Sequence, residues 1–106
     1  MASGKLGSQN ITSASTNTTL YTVPASTFTV ATVSLCNRSN SVVSVRLAIA
    51  DVDTPTDDEW IEYDAEVYPK SVLERTGLVL AAGEKLVVST TGTPISAVAY
   101  GIESEV

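Results

Sequence analysis

From residue 19 onward, apolar and polar positions alternate with a period of two in short runs separated by turn residues. That is the signature of half-buried β-strands, because successive side chains on a strand point to opposite faces. The pattern predicts strands over 20–23, 27–36, 42–50, 60–64, 72–80, 86–90 and 95–102, with Pro24, Pro55, Pro69 and Pro94 in the breaks between them. Within 42–50, Val43, Val45, Leu47 and Ile49 share one face and Ser44 and Arg46 the other, so Val43, Val45, Leu47 and Ile49 are expected in the core. The short polar link Asn37-Arg38-Ser39-Asn40 between two such runs reads as a hairpin connection.

Strands at this spacing with no helical stretch between them predict an all-β chain: an antiparallel β-sandwich or jelly roll of seven to eight strands, with the connectivity open. No repeat of solenoid or propeller period interrupts the pattern. Residues 1–18 differ, with Leu6 and Ile11 as their only sizeable hydrophobes. Too few apolar groups for a core of their own predict an extended N-terminal arm over 1–18 and a single sandwich domain over 19–106. Such an arm is either a flexible end or a strand added to a neighbouring subunit.

Composition sharpens this picture. Fourteen valines and fourteen threonines favour a pleated surface over a helix. A net charge of −6 argues against nucleic acid and anionic membranes as partners. No apolar run reaches the length of a membrane span or of a signal peptide, so synthesis in a cytoplasm is expected. The single cysteine, Cys36, has no internal disulfide partner; at the end of an apolar strand it is expected to pack as a small core hydrophobe.

The chain has no histidine, so neither Cys36 nor any of the many Ser and Thr hydroxyls has an imidazole base, and no enzyme activity or cofactor is expected. Eight of the twelve acidic residues fall between Asp51 and Glu66. Asp51, Asp53, Asp57, Glu59 and Glu62 match the ligand spacing of a helix–loop–helix calcium site. However, Pro55 takes a ligand position and Thr56 replaces the glycine of the sharp turn, so no metal is expected. A solvated acidic loop, or a charged contact with a basic partner, accounts for the segment instead. Glu62 and Asp64 have the spacing of a glycosidase carboxylate pair, but an exposed polar face explains them better. The candidate contact residues are Asp57, Asp58, Glu59, Trp60, Tyr63 and Tyr68, with Leu6 and Ile11 on the arm.

Three stretches taken together carry a resemblance: Leu20-Tyr-Thr-Val-Pro24; Val33-Ser-Leu-Cys-Asn-Arg38 with Val45-Arg-Leu-Ala-Ile49; and Ile61-Glu-Tyr-Asp64 with Leu73-Glu-Arg-Thr-Gly77. In order and wording they resemble small virion structural proteins of tailed bacteriophages, especially those of cyanobacteria and other aquatic bacteria. The resemblance spans 19–102 and implies a non-enzymatic β-sandwich located in the virion. The expectation is a capsid decoration (cement) protein that forms a homotrimer and binds the major capsid protein or other virion proteins. A tail, baseplate or fibre component is the alternative of the same class. A carbohydrate-binding module using Trp60, Tyr63 and Tyr68 against host glycan is the alternative from another.

Overall fold

In a computed structural model that describes residues 3–106, the chain forms eight strands: β1 (Ser3–Ile11), β2 (Thr18–Thr22), β3 (Thr27–Asn37), β4 (Val43–Ala50), β5 (Trp60–Val67), β6 (Val72–Leu80), β7 (Lys85–Thr90) and β8 (Ile95–Glu105). They build two four-stranded sheets, β1-β8-β3-β6 and β2-β7-β4-β5, in which every pairing is antiparallel. The nested pairs β1–β8, β2–β7, β3–β6 and β4–β5 describe a long ribbon folded back at the β4–β5 link and wrapped into two layers. This is the strand order of a jelly roll.

The core fills the space between the sheets. Val33 and Leu35 of β3, Val45 and Leu47 of β4, Leu86 and Val88 of β7, and Ile95, Ala97 and Ala99 of β8 are almost fully buried. Each large aliphatic side chain in such a position stabilises the fold by roughly 1.5–3 kcal/mol. The expected core face of β4 is correct: Val43, Val45 and Leu47 are buried, and the half-buried Ile49 packs against the same cluster.

Two expectations are corrected. Residues 3–11 are extended, but they pair with β8 of their own chain along the whole strand. Ile11 is buried in the core and Leu6 packs against it, so the division between an arm at 1–18 and a domain at 19–106 does not hold. An edge strand whose backbone is satisfied by its neighbour needs few apolar side chains of its own, and two suffice here. Gly7 allows this edge to close, because a Cβ there would lie 2.4 Å from the Leu20 carbonyl oxygen of β2.

The second correction concerns 27–50, which is not a hairpin: β3 and β4 lie in different sheets. The link crosses between layers and is anchored by Asn37, whose fully buried amide donates to the carbonyls of Ser41 (2.8 Å) and Val67 (2.9 Å) and accepts from the Ser39 backbone N–H (2.9 Å). Only β4 and β5 are consecutive in one sheet, joined across the loop 51–59.

Candidate interaction faces

The sandwich presents two outer faces, and the acidic segment belongs to one of them. On the β2-β7-β4-β5 sheet, the alternate positions Ala48, Ala50 and Val87 point away from the main core yet are fully buried, with Trp60 packed against them. Loop 51–59 lies across this side. The Glu59 carboxylate accepts the backbone N–H of Asp51 (3.2 Å) and of Thr56 (2.8 Å), and Thr56 Oγ1 donates to Asp58 Oδ1 (2.6 Å). Thr19 Oγ1 on β2 donates to Asp53 Oδ1 (2.5 Å), and Lys85 Nζ on β7 stands 3.9 Å from the same oxygen. The loop is thus tied to its sheet by its own carboxylates.

The calcium-like spacing resolves into separate duties. Asp53 faces Thr19 and Lys85, Glu59 holds loop amides, and Glu62 accepts Arg75 Nη1 at 2.7 Å. Among the described residues no three potential ligand side chains converge on one point. The Glu62 and Asp64 carboxylates are likewise held by different arginines.

Next to the loop, Arg46 donates through Nε (2.6 Å) and Nη2 (3.2 Å) to the two Asp64 oxygens, and its guanidinium lies 4.0 Å over the Tyr63 ring. The Arg46 hydrogen bonds hold the Asp64 carboxyl below its ordinary range. Trp60 and Tyr63 meet edge to face at 5.8 Å, and with Asp57 they line an open hollow of about 400 Å³. Tyr68 does not join them. It sits in the turn beyond the far end of the eight-residue β5, roughly 25 Å from Trp60. Of the six candidate contact residues, therefore, five gather at one end of β5 and the sixth lies at the other. Leu6 and Ile11, proposed as arm contacts, are turned toward the chain's own core.

The other outer face was not anticipated. On the β1-β8-β3-β6 sheet, Phe28, Val30, Val72, Val79, Tyr100 and Ile102 are all exposed. Val79, Val30 and Ile102 stand in one cross-strand row on β6, β3 and β8. Cys36 also lies on this side, opposite Val72 and Ser96, half-buried and outside the core where it was expected. Among the outward positions of the four strands only Lys5 on β1 and Glu74 on β6 carry charge. Tyr100 donates its hydroxyl to Glu74 (2.7 Å), and that bond raises the phenol pKa.

The start of β3 explains why the sequence pattern does not reveal this face. Over 27–30 the alternation is inverted: Thr27 and Thr29 point in, while Phe28 and Val30 point out. Buried Thr29 Oγ1 is satisfied by the Tyr21 hydroxyl (2.9 Å), which also donates to Glu103. Burial, reinforced by that carboxylate, pushes the Tyr21 pKa up to about 12. A polar network thus occupies the inside at this end, and the apolar members of β3 face solvent. The sequence signal was the presence of apolar residues at both parities of 28–33, but a slip of one residue exchanges the faces, so the alternation alone could not assign them.

Comparison with protein-family models, with curated proteins and with solved structures gives no match for this chain.

Proposed function

We propose that this protein is a non-enzymatic structural subunit of a phage virion, a capsid decoration protein that works by packing its surfaces against other virion proteins. The observation that carries this reading is the outer face of β1-β8-β3-β6, where six large hydrophobic side chains stand exposed on a sheet with almost no charge. Five of them are contiguous, the Val79–Val30–Ile102 row with Phe28 and Tyr100 flanking it, and Val72 stands apart at the other end beside Cys36. An apolar patch of this kind marks an interaction site, since its exposure to solvent is unfavourable until it is covered. The sequence resemblance to tailed-phage structural proteins supports placement in the virion. The opposite face contributes a different contact: Asp57 and Asp58 project from a fixed loop, where they would meet basic side chains on the capsid and set orientation and association rate more than affinity.

A glycan-binding reading draws on the Asp57, Trp60 and Tyr63 hollow, which offers aromatic surface beside a carboxylate. It is the weaker of the two, because Trp60 packs on Ala48, Ala50 and Val87 and one face of Tyr63 is covered by Arg46. Locating the chain in an electron-microscopy map of the intact particle tests the proposal. Density for it at regular positions on the capsid surface is the expected result. Density confined to tail or fibre would move it to that part of the virion, and absence from the particle would overturn the reading.

A further inference from the structure

We infer that the outer face of β1-β8-β3-β6 is covered by a second copy of this chain, packed face to face about a two-fold axis running along the strands between β8 and β3. This rests on the structural-subunit reading above and names the partner of its apolar face, with two copies in place of the three expected from the sequence.

Charge selects the occupant. Two chains of net charge −6 repel each other, and they approach most easily through the face that carries least of that charge. The β2-β7-β4-β5 side displays Asp53, Asp57, Asp58 and Asp64, whereas the outward strand positions of β1-β8-β3-β6 carry one cation, Lys5, and one anion, Glu74, with Arg38 held beside Asn10 at one end of the face. Within one chain Lys5 and Glu74 are three strand spacings apart, about 14 Å, and cannot pair.

Symmetry then completes the match. The rotation lays β1 of one copy on β6 of the other and β8 on β3. Val30 meets the partner's Ile102 and Ile102 meets the partner's Val30, because the two stand opposite each other in the same row. Lys5, level with Tyr100 and Thr32, comes within side-chain reach of the partner's Glu74, which is level with Ser34, two residues or about 7 Å along the strand direction. Every such contact occurs twice, as an isologous interface requires. The area is also adequate. Four strands about 4.8 Å apart and the roughly 36 Å length of the eleven-residue β3 give a flat footprint of about 700 Å². Stable dimers bury about 800 Å² of accessible surface per partner, and a corrugated sheet exposes more than its footprint.

Sedimentation equilibrium of the full chain across micromolar concentrations, with particle attachment measured in parallel on capsids of the producing phage, tests the assignment. The expected result is a dimer. Val30→Glu and Ile102→Glu, at positions already exposed, should keep a cooperative melt while weakening dimerisation at least tenfold. Lys5→Glu and Glu74→Lys should each weaken it about two- to fivefold per contact, and the combined swap should restore it, which no intrachain effect explains. A trimer, a monomer at every concentration, a dimer indifferent to Val30→Glu, or a swap that fails to restore would each overturn the proposal. If the chain is monomeric but Val30→Glu abolishes capsid attachment, the second copy is wrong and the virion reading stands. If neither self-association nor attachment depends on Val30, both fall.

Discussion

The two outer faces of the sandwich treat apolar surface in opposite ways. On β2-β7-β4-β5, the outward positions Ala48, Ala50 and Val87 are covered by the chain itself, through Trp60 and the acidic loop. On β1-β8-β3-β6, the outward positions Val30, Val79 and Ile102 form a row that is exposed among the described residues. The difference follows from topology. The only long connection, 51–59, joins two adjacent strands of one sheet and falls back across that sheet, whereas every link to a strand of the other sheet crosses between layers in a few residues. The covered face ends with fixed charges at its surface, and the uncovered face ends apolar. Side-chain character at a β-sandwich surface is therefore informative only once it is known which connections fold over which sheet.

The largest effect would abolish both faces together. Val45→Asp puts a carboxylate at a fully buried site between the sheets, at a cost of several kcal/mol, comparable with the whole stability of a domain this size. No cooperative thermal transition should remain in circular dichroism. The comparison itself is tested by two aromatic truncations. Trp60→Ala removes the cover of a buried cluster and should lower stability by about 2–3 kcal/mol in chemical denaturation, whereas Phe28→Ala on the open face should cost less than about 1 kcal/mol in the dissociated chain. Similar losses at both would show that the two faces are equally covered.

The polar network beneath the open face has a pH signature. The folded-state pKa of Tyr21 is raised from 10.0 to about 12, so its contribution is fully present below pH 10 and is lost as pH rises through 12. Alkaline melts of the native chain should fall across that window, and Tyr21→Phe should flatten the decline. The smallest effects divide the acidic loop itself. Glu59→Ala leaves the Asp51 and Thr56 amides without their acceptor and should cost about 1 kcal/mol. Asp57→Asn should leave the melting temperature unchanged while reducing the salt dependence of capsid attachment. Neutralising Asp57, Asp58 and Glu59 together would therefore mix the loss of a contact with the loss of a structural brace.

Strand positions were legible because each depends on local alternation and on turn residues such as Pro24, Pro69 and Gly83, which act over a few residues. The inward face of β4 was legible for the same reason. Partnership between strands was not. The Asn37 link looked like a hairpin because a short polar segment serves equally well to turn back within a sheet or to step across to the other. Burial of its side chain against the Val67 carbonyl, distant in sequence, selects the second. β1 was misread because its stability comes from a ladder with β8 at the opposite end of the chain, which leaves no trace in its own side chains.

By itself the sequence determined the placement of seven of the eight strands, the all-β class, the core face of β4 and the concentration of charge in one segment. These are properties of short windows and of composition. Only the tertiary structure decided the jelly-roll order, the separation of Tyr68 from Trp60 and Tyr63, the bracing role of Glu59, and the apolar row on the outer face of β3. Each depends on which of two equivalent strand faces meets the other sheet, and that choice is set by contacts between residues far apart in the chain.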